Sequence, residues 1–335
     1  MNIAYIIYPA AVINGKSNGV RSQALIWKRG LEELGNKVVL INLWDNYEWQ
    51  LFDVIHIFGK GLWLEEFIPY LKKHNPNIYI SPIIDSTKSH PAYRIATFLG
   101  IQRLRIFSPT YVLKKQLSNV KGVFVRTNYE REYLTKAFGF NEEKVFNVSL
   151  PYSIDIDLGQ LNLKKEPFCL HVSSIYQDRK NVIRLIEAAK RFNFKLVLAG
   201  STGTEKEFEP IKRAIDESEN IKVLGFISDQ ELLDLYRRAK VFALPSTYEG
   251  VGMVALDAAV AGCQIVLTDV GGPKEYYNGL ATTVDPYDID AIGSAIIQSM
   301  ESNEDQPMDL RNYVINEYSI RSISSKIIGA YEMGQ

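Results

Sequence analysis

The sequence predicts an α/β protein built from two consecutive, doubly wound, Rossmann-like units. Three observations carry this. Short apolar strand candidates alternate with helical patterns almost throughout, the signature of parallel sheets wrapped by helices. The pattern resets near Pro151 and starts again. A chain of 335 residues is long for one core and suits two domains of ordinary size. At 46% hydrophobic and 23% charged residues it reads as globular rather than disordered.

Taken in order, the first series of strands is Asn2–Tyr8, Lys37–Ile41, Val54–Ile57, Asn77–Ile80 and Gly122–Arg126. A helical pattern covers Gln23–Leu34 and ends at Gly35-Asn36, a typical stop signal. The second series is Phe168–Val172, Phe194–Ala199, Ile221–Leu224, Val241–Leu244 and Gln264–Thr268, with helices such as Val182–Arg191 and Asp229–Ala239 between them. Two such units predict a cleft between domains, with strand carboxyl ends pointing toward it. The opening MNIAYIIY has neither the basic start nor the small-residue cleavage site of a signal peptide, and reads as a strand. No apolar run approaches the roughly 20 residues of a membrane-spanning helix. Cys169 and Cys263 lie in apolar segments without metal-ligand spacing. Together these features predict a cytoplasmic protein with no disulfide.

The net charge of −1 is unevenly spread. Residues 1–150 hold 19 Lys and Arg against 12 Asp and Glu, a surplus of +7, which leaves −8 for the remainder. Ser86–Tyr129 is free of acids and carries Lys88, Arg94, Arg103, Arg105, Lys114, Lys115, Lys121 and Arg126. Ile95, Phe98, Leu99, Ile101, Leu104, Ile106 and Phe107 interleave with the first of these. Such a stretch can lie at the inner face of an anionic membrane as a peripheral contact, meet a phosphate head group, or form a solvated helix face beside a core. No nucleic-acid-binding motif accompanies the charge, so nucleic acid is not an expected partner.

The chemistry concentrates in YEGVGMVALDAAVAGCQIVLTDVGG, residues 248–272. Glu249 stands where a strand turns into a helix, a poor place for a carboxylate unless something binds there. Gly250 and Gly252 let backbone approach a ligand closely. The helix starting near Met253 aims its N-terminal donors outward, which favours phosphate. Asp257 falls about one turn inside it. In DRKNVIRLIEAAKRF, Arg179 and Lys180 precede a helix that follows another strand, where two cations can neutralise a diphosphate. Gly200-Ser201-Thr202-Gly203 and Gly271-Gly272 add turns at further strand ends. A ligand bearing both a diphosphate and hydroxyl groups, such as a sugar nucleotide, fits this set.

The run PSTYEGVGMVALDAAVAGCQIVLTDVGGPKE resembles the donor-site signature of retaining GT-B glycosyltransferases of the family 4 type, glycosyl transferases group 1. That signature is two acids separated by seven residues in a P-S-x-x-E-G-x-G context. The segments RKN…LIEA, VLGFIS…ELLDLYRRAKVFALPS and PYSID match the same family, densely over about residues 120–300. The resemblance implies a GT-B fold with an acceptor-side domain over 1–153, a nucleotide-sugar domain over 154–317, and a helix near 318–335 that returns to the first domain. It also implies roles. Glu249 orients the transferred sugar through its hydroxyls, and Arg179 and Lys180 stabilise the diphosphate and its developing charge. Asp257 holds the ribose. Gly225, Phe226 and Ile227 line the base, and Gly250, Val251, Gly252, Met253 and Val254 complete the donor loop. Gly19, in KSNGVRSQ, sits in the glycine loop that closes over the donor. On the acceptor side stand His56 in DVIHIFGKG and Asp85 in YISPIIDS. His74 and His171 read as structural.

The sequence departs from the family pattern in three places. The second acid is Asp257 rather than Glu, Ser174 stands where many members have Arg, and Ile84-Asp85 replace a His after the fourth strand. The implied activity is retaining, metal-independent hexosyl transfer from a nucleotide-diphosphate sugar to a saccharide acceptor, including a lipid-linked one, as in surface polysaccharide or glycoconjugate assembly. No cofactor is expected beyond the donor. The leaving phosphate would take the acceptor proton, leaving the protein to position and stabilise. Metal-dependent transferases of another fold use Asp-x-Asp; here DID occurs at Asp155–Asp157 and Asp288–Asp290, beside turns. The alternatives are a sugar-nucleotide epimerase of the same fold and a nucleotide-sugar-binding protein without transfer. A hydride-transfer enzyme is disfavoured, since no G-x-G-x-x-G opens the first helix.

Overall fold

A computed structural model describes residues 1–13, 19–101, 106–155, 165–302 and 305–334. Lys16, Arg103, Leu104, Arg105 and Asp157 lie outside the described residues. The chain divides into two compact units, residues 1–151 with 320–335, and residues 152–319.

The first unit contains β1 (Asn2–Ile7), β2 (Lys37–Leu40), β3 (Val54–Phe58), β4 (Ile78–Ser81), β5 (Gly100–Ile101), β6 (Ile106–Phe107), β7 (Gly122–Val125) and β8 (Val145–Asn147). Six of them form a sheet in the order β2-β1-β3-β4-β7-β8, with every neighbouring pair parallel. β5 and β6 form a separate antiparallel ribbon. All five residues of β3 and all four of β4 and β7 are buried, as expected of strands covered on both faces. Because β1 lies between β2 and β3, the winding direction reverses there. The switch point of this sheet is therefore the gap between the carboxyl ends of β1 and β3.

The terminal helix Ile320–Met333 belongs to this unit and packs on the helix Gly19–Glu33. Gly30 permits the approach: a Cβ there would stand 2.1 Å from Ser324 Oγ and 2.7 Å from Ile320 Cγ1. From the same terminal helix, Tyr331 Oη lies 2.6 Å from His56 Nδ1, while His56 Nε2 lies 2.8 Å from Ser81 Oγ. His56 is fully buried in the middle of β3, and loss of hydration lowers its pKa to about 3. The expectation that it meets an acceptor is thereby corrected. Nδ1 ties the terminal helix to the sheet, and Nε2 ties β3 to its neighbour β4.

The second unit contains β9 (Glu166–Val172), β10 (Lys195–Ala199), β11 (Ile221–Gly225), β12 (Ala239–Leu244), β13 (Gln264–Thr268) and β14 (Thr282–Val284). Their order is β11-β10-β9-β12-β13-β14, again parallel throughout. Here the switch point is between β9 and β12. The sequence patterns miss β8 and β14. Each is a three-residue edge strand, too short to show a period.

Candidate active site

The loops that leave β9 and β12 carry the three charged residues expected to be catalytic. After β9 the chain makes a tight turn, Asp178–Lys180, and then Asn181 adopts a left-handed conformation with φ 60°. Asparagine tolerates this because its short amide can satisfy nearby backbone. Its Nδ2 donates to the carbonyls of Pro245 (2.8 Å) and Pro286 (2.6 Å), and its Oδ1 accepts from Arg184 (2.8 Å). Thr247 N donates to Arg179 O at 2.9 Å. The two switch-point loops are thus pinned to one another through backbone.

That pinning sets the side chains. Lys180 Nζ donates to Glu249 Oε2 at 2.5 Å, and Arg179 Nη1 lies 3.4 and 3.5 Å from the two carboxylate oxygens. Ser246 Oγ adds a bond to Oε2 at 3.3 Å. Lys180 and Glu249 are buried, whereas the Arg179 side chain is 49% exposed, and its Nε also donates to Gln177 Oε1 at 3.1 Å. A buried carboxylate with two cations is chemically poised to exchange partners. An incoming diphosphate would draw the cations, and incoming hydroxyls would take the carboxylate.

Glycines make the close approaches around this cluster. Glu249 forms an isolated parallel bridge with Gly271, whose φ is +94°. A Cβ on Gly271 would stand 2.2 Å from Glu249 O. Gly252, with φ +72°, begins the helix Met253–Val260, and its missing Cβ leaves room for Leu244. Gly250 and Val251 complete the turn, while Met253 and Val254 are half-buried in the first helical turn.

The family described as glycosyl transferases group 1 matches residues 153–317. The second unit is a group 1 glycosyltransferase domain. Over 308 residues the chain is 22% identical to the O-antigen chain mannosyltransferase B of Escherichia coli, covering 85% of this chain and 80% of that protein. It is 26% identical over 332 residues to an uncharacterized glycosyltransferase, MJ1607, of Methanocaldococcus jannaschii, covering 90% and 79%. Among solved structures, sucrose-phosphate synthase from Thermosynechococcus elongatus superposes with a TM-score of 0.74 at 16% identity, over 99% of both chains. Anabaena Alr3699/HepE, in complex with UDP and glucose, does so at 0.71 and 14% identity, over 99% of this chain and 100% of that one. The fold is GT-B.

Asp257 does not lie open to a ribose, which corrects the sequence expectation. It is buried, its Oδ1 accepts from Ser153 N (2.6 Å) and Ile154 N (3.3 Å), and its Oδ2 accepts from Ser153 Oγ (2.7 Å). Burial pushes its carboxyl above the usual range, against the opposing bonds from Ser153 and Ile154. One methylene shorter than glutamate, it clasps the chain where the second unit begins. Asp288 caps the helix Ile289–Glu301 through Ala291 N, and Asp290 pairs with Arg191, so this DID is structural.

Gly225, with φ +70°, ends β11; Phe226 follows, 89% exposed, then half-buried Ile227. A bare aromatic ring at a strand end offers a stacking face. Gly19 opens a helix of the other unit and is exposed. Asp85 pairs with Arg126 at 2.7 Å; Arg126 also binds the buried Glu130 at 3.0 Å. Sequence reasoning missed Asn181 and Ser246. Asparagine between a charged turn and an apolar helix was the available signal for the first. His171 lies behind the cluster, with Nδ1 2.8 Å from Ala243 O and Nε2 2.7 Å from Ser173 Oγ. Burial lowers its pKa to about 4, opposed by its bond to Ala243.

Proposed function

We propose that this chain is a retaining glycosyltransferase that moves a hexosyl group from a nucleotide-diphosphate donor to a saccharide acceptor, without a metal. The observation that carries this is the Arg179–Lys180–Glu249 cluster at the switch point of the second unit. On donor arrival, Arg179 and Lys180 turn to the diphosphate, and Glu249 turns to the hydroxyls of the sugar. As the glycosidic bond breaks, negative charge grows on the leaving phosphate beside the two cations, which stabilise it. That phosphate removes the acceptor proton on the same face, so the α-configuration is kept. The exposed Phe226 ring stacks on the base, with Gly225 and Ile227 beside it. The UDP and glucose held by the Anabaena protein support a nucleotide-sugar donor.

The O-antigen chain mannosyltransferase of E. coli supports a role in assembling a sugar chain, and the acceptor we propose is lipid-linked. On the first unit, Ile95, Phe98 and Leu99 are exposed together, and Lys114 Nζ sits 3.5 Å from the centre of the Phe98 ring. Lysine beside exposed apolar side chains suits the inner surface of an anionic membrane. Among the described residues no helix is long and apolar enough to cross one.

Screening UDP-, GDP- and ADP-sugars for thermal stabilisation identifies the donor. Nucleotide release with and without oligosaccharide acceptors then tests transfer. Release that depends on acceptor and yields an α-linked product supports the reading; nucleotide binding without release reduces the protein to a binder, and interconversion of free sugar nucleotides makes it an epimerase. Sedimentation with phosphatidylglycerol vesicles, weakened by Ile95→Ser with Phe98→Ser, tests the membrane contact.

A further inference from the structure

At the switch point of the first unit the residue in the position of interest is Lys60. β3 ends at Phe58, and Gly59, with φ +94°, turns the chain so closely past β1 that a Cβ there would lie 2.8 Å from Tyr8 Cβ. Lys60 follows, half-buried. Its Nζ donates to Ile83 O at 3.4 Å and to Tyr93 Oη at 3.3 Å, both neutral and both long. Among the described residues it makes no ion pair with a carboxylate. Three residues on, the buried indole Nε1 of Trp63 has no acceptor among the described residues. An ammonium with no counter-charge and an N–H with no acceptor, on one loop at a switch point, describe a site for an anion.

The opposite wall is held in a costly conformation. Ile83, a β-branched residue, has φ 54°, in the left-handed region. Glu130 fixes it there by accepting from Ile84 N at 2.6 Å and from Arg126 N at 2.9 Å. The strained turn directs a carbonyl at Lys60 and brings no acid to it. Tyr93 belongs to the helix His90–Ala96, which also carries exposed Ile95 and runs on to exposed Phe98 and Leu99. One short helix thus joins the unpaired cation to an apolar strip.

We infer that Lys60 anchors an acceptor-side site for a phosphate ester. Lysine is a strong point-charge partner for phosphate, with three donors to share. The phosphate lies at the ammonium, and the apolar strip favours a prenyl chain over a free sugar phosphate as its carrier. The word acceptor rests on the transfer reading above; the anion site does not.

Binding is measured by calorimetry on the full chain, without donor, using farnesyl phosphate, mannose 1-phosphate, farnesol and mannose at two salt concentrations. The phosphorylated form of at least one pair should bind about tenfold or more tightly than its uncharged counterpart, and less tightly at high salt. Lys60→Met should erase the preference and Lys60→Arg should keep it. Preference in the farnesyl pair alone assigns a lipid carrier; preference in the mannose pair alone assigns a sugar phosphate. Equal binding of phosphorylated and uncharged forms by the wild type overturns the inference whatever the variants do. So does a folded Lys60→Met protein that retains the preference. Acceptor-dependent nucleotide release and donor stabilisation are followed alongside. If both are absent while the Lys60-dependent preference stands, the transfer reading fails and the anion site survives.

Discussion

At the switch point of the second unit a buried carboxylate meets two cations; at that of the first, a lysine meets a tyrosine hydroxyl and a carbonyl. Both sheets are six-stranded and parallel and each reverses its winding once, though at a different strand of the order, so the backbone offers a crevice in both places. The difference is in side-chain chemistry. The second unit holds one carboxylate against two cations, a paired cluster that the proposed donor would reopen, with phosphate at the cations and hydroxyls at the acid. The first presents a single charge and strained backbone, which suits holding and orienting. Topology makes crevices, and the residues at the loop ends decide which of them performs bond cleavage.

The largest expected effect tests the cluster. Glu249→Gln should lower transfer on the order of 100-fold or more while the protein remains folded, since the amide replaces a charge that two cations and the sugar hydroxyls share. Glu249 is buried against Lys180, so Glu249→Ala bears on folding as well as on transfer. Removing the carboxylate takes the ion-pair acid from a buried ammonium and should cost about 3–5 kcal/mol. Pairing Glu249→Leu with Lys180→Met should recover much of that stability and none of the activity. Urea unfolding of the singles and the double measures this. Additive losses would show that the two side chains do not depend on one another.

A smaller loss is expected from the glycines. Gly271→Ala forces an L-residue into φ +94° and a Cβ against Glu249 O, for about 2 kcal/mol or more, and should abolish donor-induced thermal stabilisation. Gly59→Ala meets Tyr8 Cβ at the same φ and should destabilise similarly while donor stabilisation persists. Loss of donor response in both would mean that the units do not divide the work as described.

Most of the strands, the two-unit plan and the charged loop ends were legible in the sequence, because apolar runs of four to seven residues and charges beside glycines are local signals; the order of strands within each sheet was not. Asp257 and His56 were not. Position shows Asp257 one turn into a helix, but its partner Ser153 lies 104 residues away, and the partner of His56, Tyr331, lies 275 away. Contacts at such separation leave no pattern in a single chain. Lys60 escaped notice for the opposite reason: in FGKGLW it reads as an ordinary solvated turn, and its want of a carboxylate emerges only in three dimensions.

The two histidines offer a matched pair, one in each sheet next to its switch point. Both are buried, with pKa values lowered from 6.5 to about 3 for His56 and about 4 for His171. The unfolded chain takes up protons below 6.5 while the folded imidazoles stay neutral. Their contribution is therefore complete above pH 6.5 and is lost as the pH falls toward 4, by up to about 1.4 kcal/mol per pH unit each. The difference in slope between wild type and His56→Gln, or His171→Gln, measured by urea unfolding between pH 7.5 and 5, isolates each. An unchanged slope in either variant would mean that its imidazole already titrates normally in the folded protein.

Asp85 should give the smallest effect, and it tests the division most directly. Its side chain is 47% exposed and its pair with Arg126 competes with the stronger, buried one to Glu130. Asp85→Asn should therefore cost less than about 1 kcal/mol. If the leaving phosphate takes the acceptor proton, no carboxylate of the first unit acts as a base, and kcat should change by less than about threefold. A loss on the order of 100-fold, with the acidic limb of the pH profile erased, would identify Asp85 as a general base. The first unit would then take part in the chemistry, and the contrast between a reacting unit and a holding unit would no longer stand.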